Sequence, residues 1–350
     1  MSCWLRAATD RGFPVDIRQR FGPTFRGGVA PHPCFQPLVS MTTFPASGED
    51  SLSRREWLRR TTVGVGLLGL GGSSLAQQPK KSGKVETPPP TRPPLQPVDL
   101  GQHPRGVERL DLFLLLGQSN MKGRGVMPEE PKRDPRVVMM HLKDDAWYLA
   151  RHPLHLTGDA KTFKGADNAG VGPGLAFAET IAARDAAIRV GLVPCAIGGS
   201  QIALWQKGAR LYDEALRRGQ LAVRQASPVS GRIRAALWLQ GEADATDERL
   251  PVYEAKLLKM IDDLRTDLAL PQLPFIACTI GEMRPDEGAR RNADMNRLLL
   301  SLPEKRSGTA CVDARNLKDS IGDQVHFDTA SQNEIGRRFA AKYFALTQQK

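Results

Sequence analysis

The sequence is poor in aromatic residues and in cysteine. Aromatic residues make up 6% of its 350 residues, and there are five cysteines. Two of these, Cys3 and Cys34, fall in a front segment that we expect to be removed. The others, Cys195, Cys278 and Cys311, lie in apolar strand-like runs and are expected to be small buried hydrophobic residues. Their odd number argues against a fold held together by disulfides.

The sequence also lacks a clear membrane-spanning run. The apolar stretch Val63–Leu70 is short and rich in glycine, whereas a spanning helix needs about 20 apolar residues. Paired arginines, including Arg54 and Arg55, precede this stretch, and small residues ending at Ala76 follow it. These parts are typical of an export signal of the twin-arginine type, with cleavage predicted after Ala76. We therefore expect a periplasmic or extracellular protein without stable membrane insertion, and we favour removal of the signal over a retained anchor.

Three parts of the chain differ in composition. Residues 1–76 hold an N-terminal extension and the signal segment, and Met41 offers a second start of translation. Residues 77–106 are rich in proline and lysine and are predicted to form an extended, unpacked linker. Residues 107–350 are numerous enough for one α/β domain with a substantial core. We expect this last part to carry the function.

Positive charge is not concentrated on the predicted domain. The chain has a formal net charge of +11, and seven of these charges come from residues 1–106. The rest of the chain has no cluster of lysine and arginine interleaved with aromatic residues, which is the pattern typical of nucleic-acid binding. We therefore expect no nucleic-acid partner.

Strand-like and helix-like segments alternate through the predicted domain. Apolar runs predict strands at Leu110–Leu116, Ile188–Pro194, Ile233–Leu239, Leu273–Ile280 and Thr309–Val312. Apolar residues at three- and four-residue spacing predict helices at Gly174–Arg184, Leu211–Gln225, Pro251–Leu268, Asp286–Leu300 and Ser331–Leu346. The alternation predicts an α/β fold, a three-layer α/β/α sandwich with a five-stranded parallel sheet. The region Val137–His155 is predicted to contain a hairpin, inserted after the first strand, that lines one side of the substrate cleft.

Polar and glycine residues follow the predicted strands where each one ends. Ser119 follows the first strand, Gly199 the second and Gln240 the third, and Asp323 and His326 lie in the loop before the last helix. The carboxyl ends of parallel strands meet at one edge of the sheet, which is where such folds bind their ligands. We therefore expect these residues to come together in one site.

This combination of side chains is suited to acyl transfer. A serine hydroxyl becomes nucleophilic when a histidine accepts its proton, and a carboxylate on the other ring nitrogen orients that histidine. Ser119, His326 and Asp323 supply these three groups. Oxyanion donors are expected from the Ser119 N–H, the Gly199 N–H and the Gln240 side chain. The chemistry requires no metal and no cofactor.

Four ordered motifs resemble those of the SGNH hydrolase superfamily. They are Gly-Gln-Ser119-Asn-Met, Ile-Gly-Gly199-Ser, Gln240-Gly-Glu-Ala-Asp and Asp323-x-x-His326. The branch they resemble is carbohydrate esterase family 6 and the sialate O-acetylesterase-like proteins, which include acetyl xylan esterases, over about residues 109–347. The resemblance implies a flavodoxin-like sheet, Ser119, Asp323 and His326 as the catalytic triad, and deacetylation of carbohydrate esters.

The motifs do not fix the role of every residue around the predicted triad. Gln240 stands where other SGNH enzymes place an oxyanion-hole asparagine, and Gly198 could exchange roles with Gly199. Lys122 replaces a small residue of the relatives and is expected to affect the cleft entrance. Asn120 and Glu242 are expected to bind substrate, Glu242 through a sugar hydroxyl or by orienting its loop.

Other assignments compete with the esterase. Glu242 and Asp244 could be the two carboxylates of a glycosidase. His152 and His155, together with Asp159, have the residue types of a metal site, but catalytic zinc needs three protein ligands and the sequence offers no third one at a convincing spacing. A catalytically silent carbohydrate-binding protein on the same fold is the second hypothesis. Sugars could stack on the aromatic residues Trp147, Tyr148, Trp205 and Trp238. We expect a secreted serine acetylesterase whose substrate is an acetylated carbohydrate, such as acetyl-xylan, and the sequence makes no prediction about oligomeric state.

Overall fold

The computed structural model describes residues 92–128 and 134–348. The predicted extension, the export signal and the first half of the predicted linker lie outside these residues. Within them, no helix combines the length and apolar character needed to cross a membrane.

Strand β1, Arg109–Gly117, lies at the centre of the sheet and carries the apolar run that the sequence shows. It pairs in parallel with the two strands on either side of it, so that Leu114 lies beside Val193 and Ala236. Every residue of β1 after Arg109 is buried, because helices cover both faces of the sheet.

Seven strands form one sheet among the described residues. In chain order they are β1, β2 (Val137–Met140), β3 (Trp147–Leu149), β4 (Ile188–Pro194), β5 (Arg232–Leu239), β6 (Phe275–Cys278) and β7 (Thr309–Val312). Their order across the sheet is β3-β2-β4-β1-β5-β6-β7. The five predicted strands are confirmed as β1 and β4 to β7, all parallel to their neighbours.

The predicted hairpin is present but extends the sheet. Strands β2 and β3 are antiparallel, and β2 also pairs in parallel with β4. The prediction of five strands is therefore two strands short at this edge. The short apolar run Val137–Met140 is completely buried, which suits a sheet strand better than a loop over the cleft.

The longer helices enclose the sheet. They are α2 (Gly174–Arg184), α3 (Arg210–Gln225), α4 (Leu250–Asp267), α5 (Glu287–Leu300) and α7 (Thr329–Thr347), with the short helices α1 (Ser119–Lys122) and α6 (Leu302–Lys305) between elements. Helices α2 and α7 share a core with the β1 face of Phe113 and Leu115. Helices α3, α4 and α5 share the other core with Leu112 and Leu114. The predicted three-layer sandwich is confirmed.

The end of the predicted linker is packed against the domain. Leu95 and Leu100 are buried, and the backbone N–H groups of Leu95 and Val98 donate to carbonyls of Ala160 and Trp147. The prediction of an unpacked linker is wrong for this segment, because its few apolar residues cover the edge of the sheet next to β3.

Gly117 ends β1 and sets the direction of the chain into the site. Its φ is +130°, and a Cβ atom there would lie 2.2 Å from the carbonyl oxygen of Leu239 on β5. A side chain at this position would therefore force β1 and β5 apart just before Ser119.

Gly117→Ala is expected to destabilise the protein by about 3 kcal/mol or more, because it adds steric overlap with a backbone carbonyl to an unfavourable φ. Gly165→Ala is the matched control: φ is +76° there, but a Cβ would meet no atom within 4 Å. That control should cost only about 1 to 2 kcal/mol. Urea unfolding of both variants measures the difference, and equal losses would contradict the role of the overlap.

Candidate active site

Ser119 begins the short helix α1 directly after β1 and is 4% exposed. The preceding residue ties this turn to the end of β5. The Gln118 N–H donates to the carbonyl of Leu239 at 3.0 Å, and the Gln118 side-chain oxygen accepts from the Ala243 N–H at 3.2 Å. The serine is therefore held at the carboxyl edge of the sheet by bonds to a neighbouring strand.

Ser119, His326 and Asp323 form a continuous chain of hydrogen bonds. Ser119 Oγ lies 2.8 Å from His326 Nε2, and His326 Nδ1 lies 2.5 Å from Asp323 Oδ2. The other carboxylate oxygen, Oδ1, accepts the backbone N–H groups of Val325 and His326 at 3.0 and 2.9 Å. One aspartate thus orients both the histidine ring and the loop that carries it.

The environment of Asp323 favours its ionised form. Partial burial acts to raise its pKa, but the hydrogen bonds from the His326 backbone and ring and from the Val325 N–H outweigh it and lower the pKa to about 2. The carboxylate is therefore charged at neutral pH and accepts from Nδ1–H. In that tautomer Nε2 has a lone pair directed at the serine hydroxyl.

The Gly198–Gly199 turn lies beside the serine. A Cβ atom on Gly198 would lie 3.9 Å from Ser119 Cβ, and Gly199 has a φ of +68° with open space around it. Among the described residues, the backbone N–H groups of Ser119, Gly198 and Gly199 donate to no protein acceptor. These donors are free for an oxyanion, and the geometry leaves both glycines available.

Gln240 has no amide hydrogen left for an oxyanion. It is completely buried, and Nε2 donates to the Ser200 carbonyl at 3.0 Å and to Asp244 Oδ2 at 2.6 Å. Its side-chain oxygen accepts from the Tyr253 hydroxyl at 2.8 Å. The expectation that Gln240 is an oxyanion donor is therefore corrected. Its contact with Ser200 instead supports the residue that follows Gly199.

Asn120 lies inside the protein and does not face substrate. It has no exposed surface, and Nδ2 donates to Glu242 Oε1 at 2.5 Å and to the Val325 carbonyl at 3.1 Å. Its Oδ1 accepts from the Phe327 N–H at 3.1 Å and from Gln332 Nε2 at 3.3 Å. The expectation of substrate binding is corrected: Asn120 holds the two residues that flank His326.

Glu242 and Asp244 differ in how fully the protein satisfies their carboxylates. Glu242 Oε2 is enclosed and has no hydrogen-bond partner, although other atoms of the residue are partly exposed. Asp244 Oδ2 accepts from the Ile202 N–H at 2.7 Å as well as from Gln240. Burial raises the pKa of both carboxyl groups. Asp244 is buried and bonded within the protein, so the two cleft carboxylates that a glycosidase needs are not present, whereas substrate binding by Glu242 stays a prediction.

The remaining expectations concern histidine and aromatic residues. His152 and His155 are buried, and burial lowers their pKa values to about 4 and about 3. No group of three His, Cys, Asp or Glu suited to hold a metal ion occurs in the described part of the chain. Trp205 and Trp238 are buried and pack edge to face in the core, so they are unavailable for stacking on a sugar.

Two basic residues follow the serine within five positions. Lys122 is buried and paired with Asp167, so it anchors a loop instead of shaping the cleft entrance. Arg124 faces the site: a Cβ on Gly198 would lie 3.2 Å from Arg124 Nη2. Arg124 is not among the residues predicted from the sequence, although its position close after the serine, between Gly123 and Gly125, was a usable signal.

Comparisons with known proteins identify the family. Residues 109–345 match the family described as carbohydrate esterase, sialic acid-specific acetylesterase. A probable carbohydrate esterase of Arabidopsis thaliana is 34% identical in an alignment of 254 residues that covers 67% of this chain and 90% of that protein.

Solved structures show the same fold. The X-ray structure of an Arabidopsis thaliana protein is similar with a TM-score of 0.57 and 32% identity, covering 67% of this chain and 98% of that one. The crystal structure of NanS gives a TM-score of 0.59 at 16% identity, covering 70% of this chain and 99% of NanS.

Glu242→Gln is expected to flatten the pH dependence of stability. A raised pKa means that the folded protein binds this proton more tightly than the unfolded chain, so the Glu242 contribution is complete below about pH 4.5 and is lost as pH rises through the folded pKa. Glutamine can keep the bond from Asn120 without the buried charge. Between pH 5 and 8 the Tm of wild type should fall relative to that of the variant. The expected shift is about 2 to 4 °C for each kcal/mol of unfolding free energy that the buried charge costs.

Glu108→Gln, on an exposed residue at the opposite end of β1, is the control and should follow the wild-type curve. Thermal unfolding across the pH range measures all three proteins. Parallel curves for wild type and Glu242→Gln would contradict the buried-charge assignment.

Proposed function

The chain belongs to the sialic acid-specific acetylesterase family of carbohydrate esterases, and we propose that Ser119, His326 and Asp323 carry its ester hydrolysis. The observation that supports this most directly is the unbroken hydrogen-bond chain from Asp323 through His326 to Ser119. The same three residues occur, in this order, in motifs that resemble those of the SGNH hydrolase superfamily.

The proposed reaction has two halves. His326 Nε2 accepts the hydroxyl proton as Ser119 Oγ attacks the acetyl carbonyl, and the ionised Asp323 stabilises the imidazolium that forms. The tetrahedral oxyanion is bound by the Ser119 N–H and by the N–H of Gly199 or Gly198. His326 then protonates the leaving sugar oxygen, so that the sugar departs as an alcohol and Ser119 is left acetylated. In the second half His326 accepts a proton from the water that attacks the acetyl-enzyme and returns it to Ser119 Oγ as acetate leaves.

The proposed substrate is an O-acetylated carbohydrate, and acetyl-xylan is one candidate. This assignment rests on the family and on the relative whose name describes a probable carbohydrate esterase. The arginine-paired signal segment in residues 1–76 supports export to the periplasm or the cell exterior. A binding protein without turnover would not need a serine, a histidine and an aspartate held in hydrogen-bond contact.

Ser119→Ala and His326→Ala are expected to lower kcat for 4-nitrophenyl acetate by at least about 10⁴-fold, because each removes a group that forms or breaks bonds. Asp323→Asn should leave a residual rate, because the His326 ring still accepts the serine hydroxyl in the fraction of molecules that have the correct tautomer. Release of 4-nitrophenolate measures hydrolysis, and circular dichroism is the folding control. Folded variants that retain activity would contradict the triad.

Asn120→Ala is expected to lower kcat by about 10- to 100-fold with little change in KM, because the loss of four bonds lets the His326 loop move relative to Ser119. Gln332→Ala is the matched control. It removes only the longest of these bonds, at 3.3 Å, and should lose far less activity.

A second readout separates positioning by Asn120 from general destabilisation. Labelling of Ser119 by a serine-directed organophosphonate should slow in Asn120→Ala at temperatures where circular dichroism shows a folded protein. Equal labelling rates in Asn120→Ala and wild type would contradict the positioning role.

A further inference from the structure

The side-chain amide of Gln118 lies next to the serine and has hydrogens left to donate. The residue is 3% exposed, and its Oε1 accepts from the Ala243 N–H at 3.2 Å. Within residues 92–128 and 134–348, Gln118 Nε2 donates to no acceptor, and it is not among the side-chain atoms that the fold encloses without a partner. The NH₂ group of an otherwise buried side chain is therefore open to a molecule that enters the site.

The hydrogen bond from Ala243 decides which end of the Gln118 amide is open. A backbone N–H can only donate, so the amide atom that faces it is the oxygen, and the NH₂ group points the other way. The flipped amide would place two donors against each other. A side-chain donor that is nearly buried costs free energy unless an acceptor meets it. The open NH₂ group is thus suited to an acceptor that arrives with the substrate.

The loop after β5 holds this amide against the serine turn. Glu242 Oε1 accepts from Asn120 Nδ2 at 2.5 Å, and the next residue, Ala243, donates to Gln118. The loop is therefore bonded to both neighbours of Ser119. Because Gln118 follows the carboxyl end of β1, the open side of its amide belongs to the edge of the sheet that carries the site.

The oxyanion needs a donor from the β5 side of the serine. The free N–H groups of Ser119 and of the glycine turn lie on β1 and on the β4 side. Gln240, which follows β5, gives its amide hydrogens to Ser200 and Asp244. An oxyanion can accept three hydrogen bonds, and two backbone donors leave one of them unmade. Gln118, bonded to the loop after β5, has an open donor on that side.

We propose that Gln118 Nε2 donates to the oxyanion of the reaction and is a catalytic residue in the place predicted for Gln240. This inference rests on the proposed function of Ser119. As Ser119 Oγ bonds to the acetyl carbon, the carbonyl π pair moves to the oxygen, where Gln118 and the backbone N–H groups bind the charge. The pair returns when the bond to the sugar oxygen breaks and His326 protonates that oxygen. Gln118 itself gains and loses no proton.

Two variants remove the Gln118 NH₂ group in different ways. Gln118→Glu keeps the oxygen that accepts from Ala243, and Gln118→Met has similar length without adding a charge. Both are expected to lower kcat for 4-nitrophenyl acetate about 100- to 1000-fold with little change in KM, because the oxyanion exists only beyond the ground state. Steady-state kinetics measures both constants, and circular dichroism checks that the variants are folded.

Gln225→Glu is the matched control. Gln225 ends α3, its Oε1 accepts from Trp147 Nε1 at 2.7 Å, and its Nε2 donates to the Asp145 carbonyl at 3.2 Å. The substitution makes the same exchange of NH₂ for oxygen away from the serine. It should keep the wild-type kcat.

Hydrolysis of 4-nitrophenyl thionoacetate separates donation by Gln118 from positioning of the serine. The charge of its tetrahedral intermediate lies on sulfur, which accepts hydrogen bonds weakly. Gln118→Glu and Gln118→Met should therefore lose at least about tenfold less activity on the thionoester than on the ester. An equal loss on both substrates would overturn the proposal, because a displaced serine attacks both more slowly.

The ester itself distinguishes the remaining outcomes. 4-Nitrophenyl acetate has no sugar, so an amide that only binds a sugar hydroxyl would leave its hydrolysis unchanged. Wild-type kcat in both Gln118 variants, with activity lost in Ser119→Ala, would overturn the assignment of Gln118 alone. Hydrolysis that survives in Ser119→Ala would contradict the proposed function and the role of Gln118 with it.

Discussion

The arrangement of the site depends on the four hydrogen bonds of the Asn120 side chain. Asn120 follows the candidate nucleophile directly, and its amide reaches the carbonyl of Val325 and the N–H of Phe327, the two neighbours of His326. Inside the protein an unmade hydrogen bond is expensive, so a fully bonded amide permits one relative position of these segments. The Asn120 side chain therefore sets the distance between Ser119 and His326, although it takes no part in the proposed proton transfer.

The parallel sheet makes this connection possible. Ser119 and His326 are 207 residues apart in sequence, and the order of the strands brings their segments to the same edge. Gly117 is needed because β1 and β5 approach so closely at that edge that a Cβ would meet the Leu239 carbonyl. The buried network of Gln240, Asp244 and Ser200 then supports the glycine turn from the side of β5.

The sequence was sufficient to predict five of the seven described strands, the main helices and the meeting of Ser119, Asp323 and His326 at the sheet edge. Apolar periodicity and the positions of polar residues after strands are local signals. It was not sufficient to assign hydrogen-bond partners. Gln240 and Asn120 have the residue types of an oxyanion donor and a sugar ligand, but their amides are satisfied by distant groups that only the folded chain brings near. The same reason explains Arg124, whose proximity to Gly198 depends on the close packing of two loops.

The carboxyl groups near the serine have opposite electrostatic environments. Asp323 is partly exposed and accepts hydrogen bonds from the histidine ring and from two backbone N–H groups, which lower its pKa to about 2. Glu242 lies close enough to interact with His326, but burial raises its pKa. Separated pKa values allow neighbouring acids to play different roles. Asp323 is the one of these two acids that is bonded to the ring. In the proposed mechanism it therefore holds the imidazolium through Nδ1, and the Nε2 proton stays directed at the serine and the leaving group.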